Sequence, residues 1–309
     1  MLNSLFLHCP NAHVHILCMD VVTEEVIGKL GFAEVTCIAL ADFEDDAILQ
    51  AKRNRNVAEY CWTLTPCLPW HILQREPTIQ AITYLDADLF FYSSIEPLFA
   101  EIGEASIAII EHRFTARLNH LEVNGRFCVE WVSFLRDAEG MACLERWRSQ
   151  CLEWCYARLE NDRMGDQKYL DDWPNRYRGV HILQHEGAGL APWNFDRYRF
   201  DAQLGGEILV NGVPLIFYHF HQFQILEGEK FDRLSESYIS DRREPEAVYM
   251  VYEEEMRKTM RVVRRRIPDF SSGIKSAAHV KSRRWVQRFV PRPVKEAMRR
   301  VMTRLSGVF

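Results

Sequence analysis

Residues 81–88 read Ala-Ile-Thr-Tyr-Leu-Asp-Ala-Asp, an apolar segment of strand length that ends in two carboxylates. The composition predicts a strand over Ala81–Leu85. Asp86 and Asp88 follow at positions i and i+2, so extended backbone or a turn brings both carboxylates to one side. Magnesium and manganese prefer such oxygen ligands and complete their shells with water and substrate phosphates. The stretch therefore predicts a divalent-metal site. The alternative is a pair of solvated turn carboxylates, because Asp-x-Asp is common.

The sequence on both sides of this stretch alternates between strand-like and helix-like patterns. Such alternation predicts an α/β fold with a mixed, mostly parallel sheet flanked by helices. Ligands of such sheets bind beyond the carboxyl ends of the strands, where Asp20, Asp86 and Asp88 fall. The other predicted strands are His13–Met19, Glu34–Leu40, Ser106–Ile110 and Phe127–Phe134. The predicted helices are Thr23–Leu30, Phe43–Asn54, Ala58–Gln74 with interruptions at Pro66 and Pro69, and Glu139–Leu159.

Composition places the chain among globular proteins. Its 309 residues are 48% hydrophobic, which suffices for a sizeable core. No apolar run approaches the roughly 20 residues of a membrane span, and no signal-peptide pattern opens the chain, so we expect a cytoplasmic protein. The nine cysteines include no Cys-x-x-Cys pair and are expected to be reduced thiols. Zinc bound by Cys151, Cys155, His181 and His185 is conceivable, but a packed helix face explains the two cysteines better.

Charge divides the chain near residue 255. Residues 256–309 carry 16 Lys or Arg against two acids, which leaves 22 basic and 41 acidic side chains in residues 1–255. We therefore expect a domain over 1–255 and a basic helical extension over 256–309. Its last predicted helix, 293–305, is amphipathic, so residues 291–309 are expected either to contact an anionic membrane surface or to pack on the acidic body. Nucleic acid is not an expected partner, because aromatic residues are not interleaved with the basic ones.

Three later segments carry further candidate site residues. Asp166 and Gln167 follow Gly165 at the start of a short helix, where polar side chains can face a ligand or simply cap the helix. Trp193 and Asn194 lie in a loop rich in Gly and Pro, and this pair suits stacking on a sugar ring and bonding its hydroxyls. The apolar strand predicted over Pro214–Phe223 places His219 and His221 on one face, where one imidazole can complete a two-carboxylate metal site.

Taken in order, these segments resemble those of GT-A glycosyltransferases, and specifically the retaining family eight enzymes that include glycogenin and bacterial lipopolysaccharide galactosyltransferases. The resemblance spans roughly residues 1–225 and rests on the ordered combination of motifs. It implies that Asp86, Asp88 and His219 bind manganese or magnesium, together with the diphosphate of a nucleotide sugar. It also implies that Asp166 and Gln167 lie beside the donor sugar.

The same resemblance suggests the partners and the reaction. Arg53 or Arg55, with Glu59, falls where relatives contact the nucleotide. The expected activity is transfer of a sugar from a nucleotide diphosphate donor, such as a uridine diphosphate hexose, to a glycan or glycolipid acceptor. An acceptor of that kind would suit a peripheral position at the inner membrane surface.

Three departures from the family pattern affect the expected donor site. The chain opens in what resembles the first helix, without the preceding strand. Cys128-Val129-Glu130 replaces an Asn-x-Gly motif, and Gln222 and Ile225 stand where a Gly and a Lys approach the diphosphate. A truncated transferase or a catalytically impaired GT-A-like binding protein is therefore an alternative. A haloacid-dehalogenase-like phosphatase is a further alternative, which Phe90 and the late position of the motif disfavour.

Overall fold

The computed structural model describes residues 1–234, 238 and 240–276, which fall into two compact units. The first unit contains Met1–Phe220 and Arg243–Val248, and the second contains His221–Arg242 and the chain from Tyr249 onward.

Two expectations concern the end of the chain. The boundary expected at residue 255 lies within a continuous helix, Glu246–Arg266. The helix expected over 293–305 and the membrane contact expected for 291–309 lie outside the described residues.

Strands and helices alternate along the first unit, as expected. Its strands are β1 (Val14–Cys18), β2 (Val35–Ala39), β3 (Ala81–Leu85), β4 (Leu89–Phe91), β5 (Ile107–Glu111), β6 (Phe127–Leu135), β7 (Val180–Leu183), β8 (Phe200–Ala202), β9 (Ile208–Val210), β10 (Val213–Pro214) and β11 (Phe217–His219). Its helices are α1 (Leu2–His8), α2 (Val21–Leu30), α3 (Leu40–Phe43), α4 (Asp46–Lys52), α5 (Val57–Arg75), α6 (Glu96–Ile102), α7 (Ala138–Glu153) and α8 (Trp173–Arg176). Short 3-10 helices span Ala116–Asn124, Gln167–Asp172 and Phe195–Arg197.

The central sheet of the first unit has the strand order β3-β6-β5-β7. β6 runs antiparallel to β3 and to β5, whereas β5 and β7 are parallel. β1 and β2 form a separate parallel pair. The mixed α/β class is confirmed, but parallel pairing is less frequent in this sheet than expected. The reason is the connection from β5 to β6, which reverses the chain, whereas parallel neighbours require a crossover.

Helix boundaries differ from the sequence pattern at three places. Helix α5 runs through Pro66 and Pro69 without interruption, since both prolines are buried and packing offsets the lost backbone bonds. The helix expected over Phe43–Asn54 is shorter, α4 over Asp46–Lys52, and Phe43 instead ends the preceding helix α3. Helix α7 ends at Glu153, because Trp154 adopts extended backbone and its carbonyl accepts a 2.7 Å hydrogen bond from the Tyr169 hydroxyl.

A large core cluster packs β5 and β6 against α7 and α8. Trp147 and Trp173 are fully buried there in edge-to-face contact, with ring centroids 5.3 Å apart. Cys151 on α7 and Cys155 just beyond its end both belong to this core, so the expected packing is confirmed, although only Cys151 lies on the helix. All nine cysteines are free thiols. No helix within the described ranges is long and apolar enough to span a bilayer.

The second unit contains a small sheet and most of a long helix. Strand β12 (Gln224–Leu226) pairs antiparallel with β13 (Lys230–Asp232) and parallel with β14 (Ile274–Lys275). Helix α9 (Glu246–Arg266) contributes Glu253, which forms an ion pair of 2.6 Å with Arg233. The helical extension expected from residue 256 therefore begins ten residues earlier, at Glu246, with an acidic first half.

Candidate metal-binding site

The Asp86-Ala87-Asp88 turn joins the central sheet to the short strand β4. The backbone N–H of Asp86 donates to the Glu130 carbonyl on β6 at 3.3 Å, and the N–H of Leu89 closes the turn on the Asp86 carbonyl at 3.4 Å. The two aspartate side chains are 23% and 43% exposed, in that order. Both carboxylates are therefore fixed at their backbone but remain accessible to a ligand.

Strand β11 brings His219 to these carboxylates. It pairs antiparallel with β4 and places His219 opposite Leu89. The N–H of Phe220 also donates to the Asp88 carbonyl at 2.9 Å. As a result His219 Nε2 lies 2.9 Å from Asp88 Oδ1 and 3.8 Å from Asp86 Oδ2. The three residues expected from the sequence to share a metal are therefore neighbours, although the strand that carries His219 is only three residues long.

Glu130 and Cys128 lie behind His219, and sequence reasoning did not assign them a role in the site. Glu130 is fully buried, and its Oε2 is 2.6 Å from His219 Nδ1. Cys128 is close enough that its Sγ, a Glu130 oxygen and a His219 nitrogen lie within 4.8 Å of one another. One signal was available: a glutamate inside the apolar strand Phe127–Leu135 is rarely buried unless it is paired.

The buried imidazole links two carboxylates. Burial opposes a charge on His219, but Asp88, Cys128 and Glu130 together raise the pKa of its imidazole well above the ordinary value. When both ring nitrogens carry protons, Nδ1–H donates to Glu130 and Nε2–H to Asp88. A cation at Nε2 must displace that proton.

Burial also governs the first carboxylate of the turn. Desolvation raises the pKa of Asp86 to about 6; His219 opposes the shift and Asp88 adds to it. The Tyr84 hydroxyl donates to Asp86 Oδ1 at 3.0 Å. The α-amino group of Met1 also lies within electrostatic range of Asp88, and burial lowers its pKa to about 6. The turn thus holds more negative than positive charge at neutral pH.

Asp88 and His219 have the spacing of adjacent ligands of a hard divalent cation, whereas Asp86 lies farther from His219. For metal–ligand bonds of about 2.1 Å, adjacent ligand atoms of an octahedron are about 3.0 Å apart and opposite ones about 4.2 Å. The 2.9 Å between Asp88 Oδ1 and His219 Nε2 matches adjacent positions, and the 3.8 Å to Asp86 Oδ2 lies between the two values. Burial raises the pKa of the Cys128 thiol, which disfavours a thiolate ligand.

Asp166 and Gln167 lie on the segment that leads into a 3-10 helix. Asp166 is 3% exposed, and burial raises the pKa of its carboxyl to about 7, with Thr65 opposing and Asp86 adding to the shift. Its Oδ2 has no hydrogen-bond partner among the described residues. Gln167 Nε2 donates to the Asn124 carbonyl at 3.1 Å. Asp166 is therefore a buried carboxyl within electrostatic range of the turn, while the amide of Gln167 is used at least partly by the fold.

Trp193 lies beside His219, and both Trp193 and Asn194 are buried. Trp193 Nε1 donates to the His112 carbonyl at 2.9 Å, and its ring meets the His219 ring edge-on with centroids 5.2 Å apart. Asn194 Nδ2 donates to the carbonyls of His112 and Gly189, and Oδ1 accepts from the Ala191 N–H at 2.9 Å. These contacts give both side chains a structural role, and the sugar-binding role remains a prediction.

Arg55 and Glu59 connect the start of α5 to the end of α7. Glu59 completes a capping box with Asn56, and its Oε1 accepts from the Ala157 N–H at 2.9 Å. Arg55 stacks over the Tyr156 ring, with its guanidinium carbon 3.9 Å from the centroid. Nucleotide binding by the two residues remains a prediction, while their observed contacts stabilise a helix junction.

No family model matches the chain. It is 32% identical over 276 residues to the uncharacterized protein YfnD of Bacillus subtilis strain 168, covering 88% of each chain. It is 31% identical over 235 residues to the uncharacterized protein YfnF of the same strain, covering 74% of this chain and 78% of YfnF.

Two solved structures show weaker likeness. Apo mouse xyloside xylosyltransferase 1 aligns with a TM-score of 0.43 and 16% identity, covering 72% of this chain and 90% of that one. A glycosyltransferase involved in glycosylation of the major capsid of PBCV-1 aligns with a TM-score of 0.38 and 10% identity, covering 68% and 95%.

Proposed function

We propose that this chain, which belongs to the family of the Bacillus subtilis proteins YfnD and YfnF, is a metal-dependent glycosyltransferase of the GT-A type. The donor would be a nucleotide diphosphate sugar, such as a uridine diphosphate hexose, and the acceptor a glycan or glycolipid. The observation that carries the proposal is the convergence of Asp86, Asp88 and His219 at 2.9 and 3.8 Å. That donor set follows the ordered motif pattern of the resemblance and suits manganese or magnesium.

The residues of the site would bind the donor through its diphosphate. Asp86, Asp88 and His219 would hold the cation, which when bound supplies positive charge to the departing diphosphate. In the transfer, the bond between the anomeric carbon and the phosphate oxygen breaks and its electron pair stays on the nucleotide diphosphate. The acceptor oxygen forms the new glycosidic bond, and its proton passes to the departing nucleotide diphosphate.

Asp166 would support the sugar as it gains positive charge. Its carboxyl, with a pKa near 7, is partly ionised at neutral pH, and burial strengthens its field because little water screens it. Gln167, the next residue, would position the sugar, in addition to its bond to Asn124.

Calorimetric titration with uridine diphosphate sugars, with and without manganese, tests the proposal. We expect manganese-dependent binding and slow release of uridine diphosphate even without acceptor. Asp88→Asn removes a charged ligand and is expected to weaken donor binding at least tenfold. Asp46→Asn makes the same chemical change at an exposed helix start and should have no effect.

Three outcomes would contradict the proposal in different ways. Absence of manganese-dependent nucleotide-sugar binding would overturn it entirely. Binding without turnover, in the presence of a panel of glycan acceptors, would leave a GT-A-like binding protein. Metal-dependent hydrolysis of simple phosphate esters would instead favour a phosphatase.

A further inference from the structure

Glu130 is a carboxylate inside an otherwise apolar strand. The strand β6 reads Phe-Cys-Val-Glu-Trp-Val-Ser-Phe-Leu, and Glu130 in its middle has no solvent exposure. An isolated buried carboxylate is strongly unfavourable unless a charge and hydrogen bonds compensate it. Its Oε2 lies 2.6 Å from His219 Nδ1, whereas Oε1 has no hydrogen-bond partner among the described residues. The Glu130 side chain therefore hydrogen-bonds to His219 through one oxygen.

A break in strand register lies at Glu130. On β5, Ile109 pairs with Val132 and the next residue, Ile110, pairs with Cys128. The three β6 residues between these partners, 129–131, thus have no counterpart on β5. β-bulges of this kind redirect side chains and are frequent beside functional sites.

The position of Glu130 determines which nitrogen of His219 can face the carboxylate turn. A neutral imidazole carries one proton, and Nε2 can ligate a cation only when that proton resides on Nδ1. We propose that Glu130 is a positioning residue that accepts the Nδ1 proton and so fixes the orientation and tautomer of His219, with Nε2 directed at Asp88. This inference rests on the proposed metal site. Carboxylates that orient metal-bound histidines commonly contribute 10–100-fold in metal affinity.

The geometry assigns Glu130 to positioning rather than to ligation. It contacts Nδ1, on the opposite side of the ring from the 2.9 Å contact between Nε2 and Asp88. Glu130 is also fully buried, whereas the two aspartates that would meet a substrate phosphate are partly exposed. A cation between Nε2 and the aspartates therefore has Glu130 behind its histidine.

Manganese affinity in three variants tests the role. Glu130→Gln keeps the size of the side chain, but its amide can donate to Nδ1 as well as accept from it, so the proton is no longer held there. We expect the manganese Kd of Glu130→Gln to rise 10–100-fold by calorimetry. Glu130→Asp keeps the acceptor one methylene away and should recover part of the affinity. Glu145→Gln, the same change on the exposed face of α7, should bind as the wild type does.

Histidine-selective 15N NMR measures the tautomer directly, with His219→Gln identifying the signal. In the magnesium-bound wild type we expect a proton on Nδ1 alone, and in Glu130→Gln a mixture of tautomers. Unchanged metal affinity and an unchanged tautomer in Glu130→Gln would overturn the inference while leaving the metal site intact.

The metal-free protein separates the two proposals. Should the wild type bind no divalent cation, the proposed function fails, and the hydrogen-bonded Nδ1–H signal of the metal-free protein still tests the contact with Glu130. Loss of that signal in Glu130→Gln would support the hydrogen bond. Its persistence would overturn the positioning role. Should Glu130→Gln fail to fold, comparison of Glu130→Asp with wild type gives the same two readouts.

Discussion

Two polar clusters contact the buried ring of His219. In one the polar groups are paired by hydrogen bonds, and in the other carboxylates outnumber their partners. The amide cluster, formed by His112, Trp193 and Asn194, joins buried side-chain N–H groups to backbone carbonyls at 2.7 to 2.9 Å. The carboxylate cluster consists of Asp86, Asp88 and Glu130 around the imidazole of His219, with Asp166 within electrostatic range of Asp86. Satisfied polar groups stabilise a fold, whereas accumulated like charge costs stability until a cation is bound.

This difference separates scaffold from site. Members of both clusters were expected in the site: Trp193 and Asn194 at the sugar, Asp86 and Asp88 at the metal, and Asp166 beside the donor sugar. In the structure Asn194 is fully buried with both ends of its amide engaged, whereas Asp86 and Asp88 are partly exposed. Variants in the amide cluster should therefore reduce stability, and variants in the carboxylate cluster should reduce ligand binding and can raise stability.

The largest expected effect is a gain of stability on removing a charge from the carboxylate cluster. The pKa of Asp166 is about 7 in the fold against an ordinary 3.8, so the folded state retains a proton between these values that the unfolded state has lost. Stability therefore falls as pH rises through this window, by about 4 kcal/mol at pH 8. Asp166→Asn should recover much of this lost unfolding free energy at pH 8, and less than about 1 kcal/mol at pH 4. Urea unfolding with chelator at both pH values measures it.

An equal effect of Asp166→Asn at both pH values would show that burial of the charge is not the cause. Lower stability of the variant at pH 8 would show that the ionised carboxylate is compensated in the fold. The variant should in either case retain its circular dichroism spectrum, since Asn occupies nearly the same volume.

The opposite sign is expected for the amide cluster. Asn194→Ala leaves the Ala191 N–H and the Gly189 carbonyl without their side-chain partner in a fully buried place. At about 1 to 3 kcal/mol for each orphaned group, the free energy of unfolding should fall by about 3 kcal/mol. Urea unfolding measures the loss, and Asn175→Ala at an exposed position should cost no more than about 0.5 kcal/mol. If Asn194→Ala loses no more unfolding free energy than the control, the amide cluster does not stabilise the fold.

Sequence reasoning identified the carboxylate turn because an apolar strand ending in Asp-x-Asp is a local pattern. It predicted His219 from the motif order, and β11 does bring that residue beside Asp88. The contact of Glu130 with His219 could not be predicted, because it joins residues 89 positions apart in the chain on strands β6 and β11. The contacts of Asn194 were equally hidden, since they depend on the backbone of a distant strand end at His112. Residues in a local sequence pattern could thus be predicted, whereas the tertiary contacts of buried polar side chains could not.

Metal binding should be visible as a change in stability confined to the carboxylate cluster. At a manganese concentration 100 times the Kd, the wild type should gain about 2.7 kcal/mol. Asp88→Asn should lose most of this gain, whereas Asp46→Asn should keep it. Thermal unfolding with manganese and with chelator provides the measurement. If manganese stabilises both variants equally, the cation does not bind at Asp88.

The smallest expected effect is that of a change at Trp193, whose edge-on contact with His219 joins the two clusters. Trp193→Phe removes the Nε1–H bond to the His112 carbonyl, which still accepts from Asn194, so the cost should be about 1 kcal/mol of unfolding free energy. Donor affinity should be unchanged if Trp193 belongs to the scaffold alone. A tenfold weaker affinity for the nucleotide sugar, with manganese affinity unaltered, would instead show that the indole contacts the sugar, and the boundary between scaffold and site would then pass through Trp193.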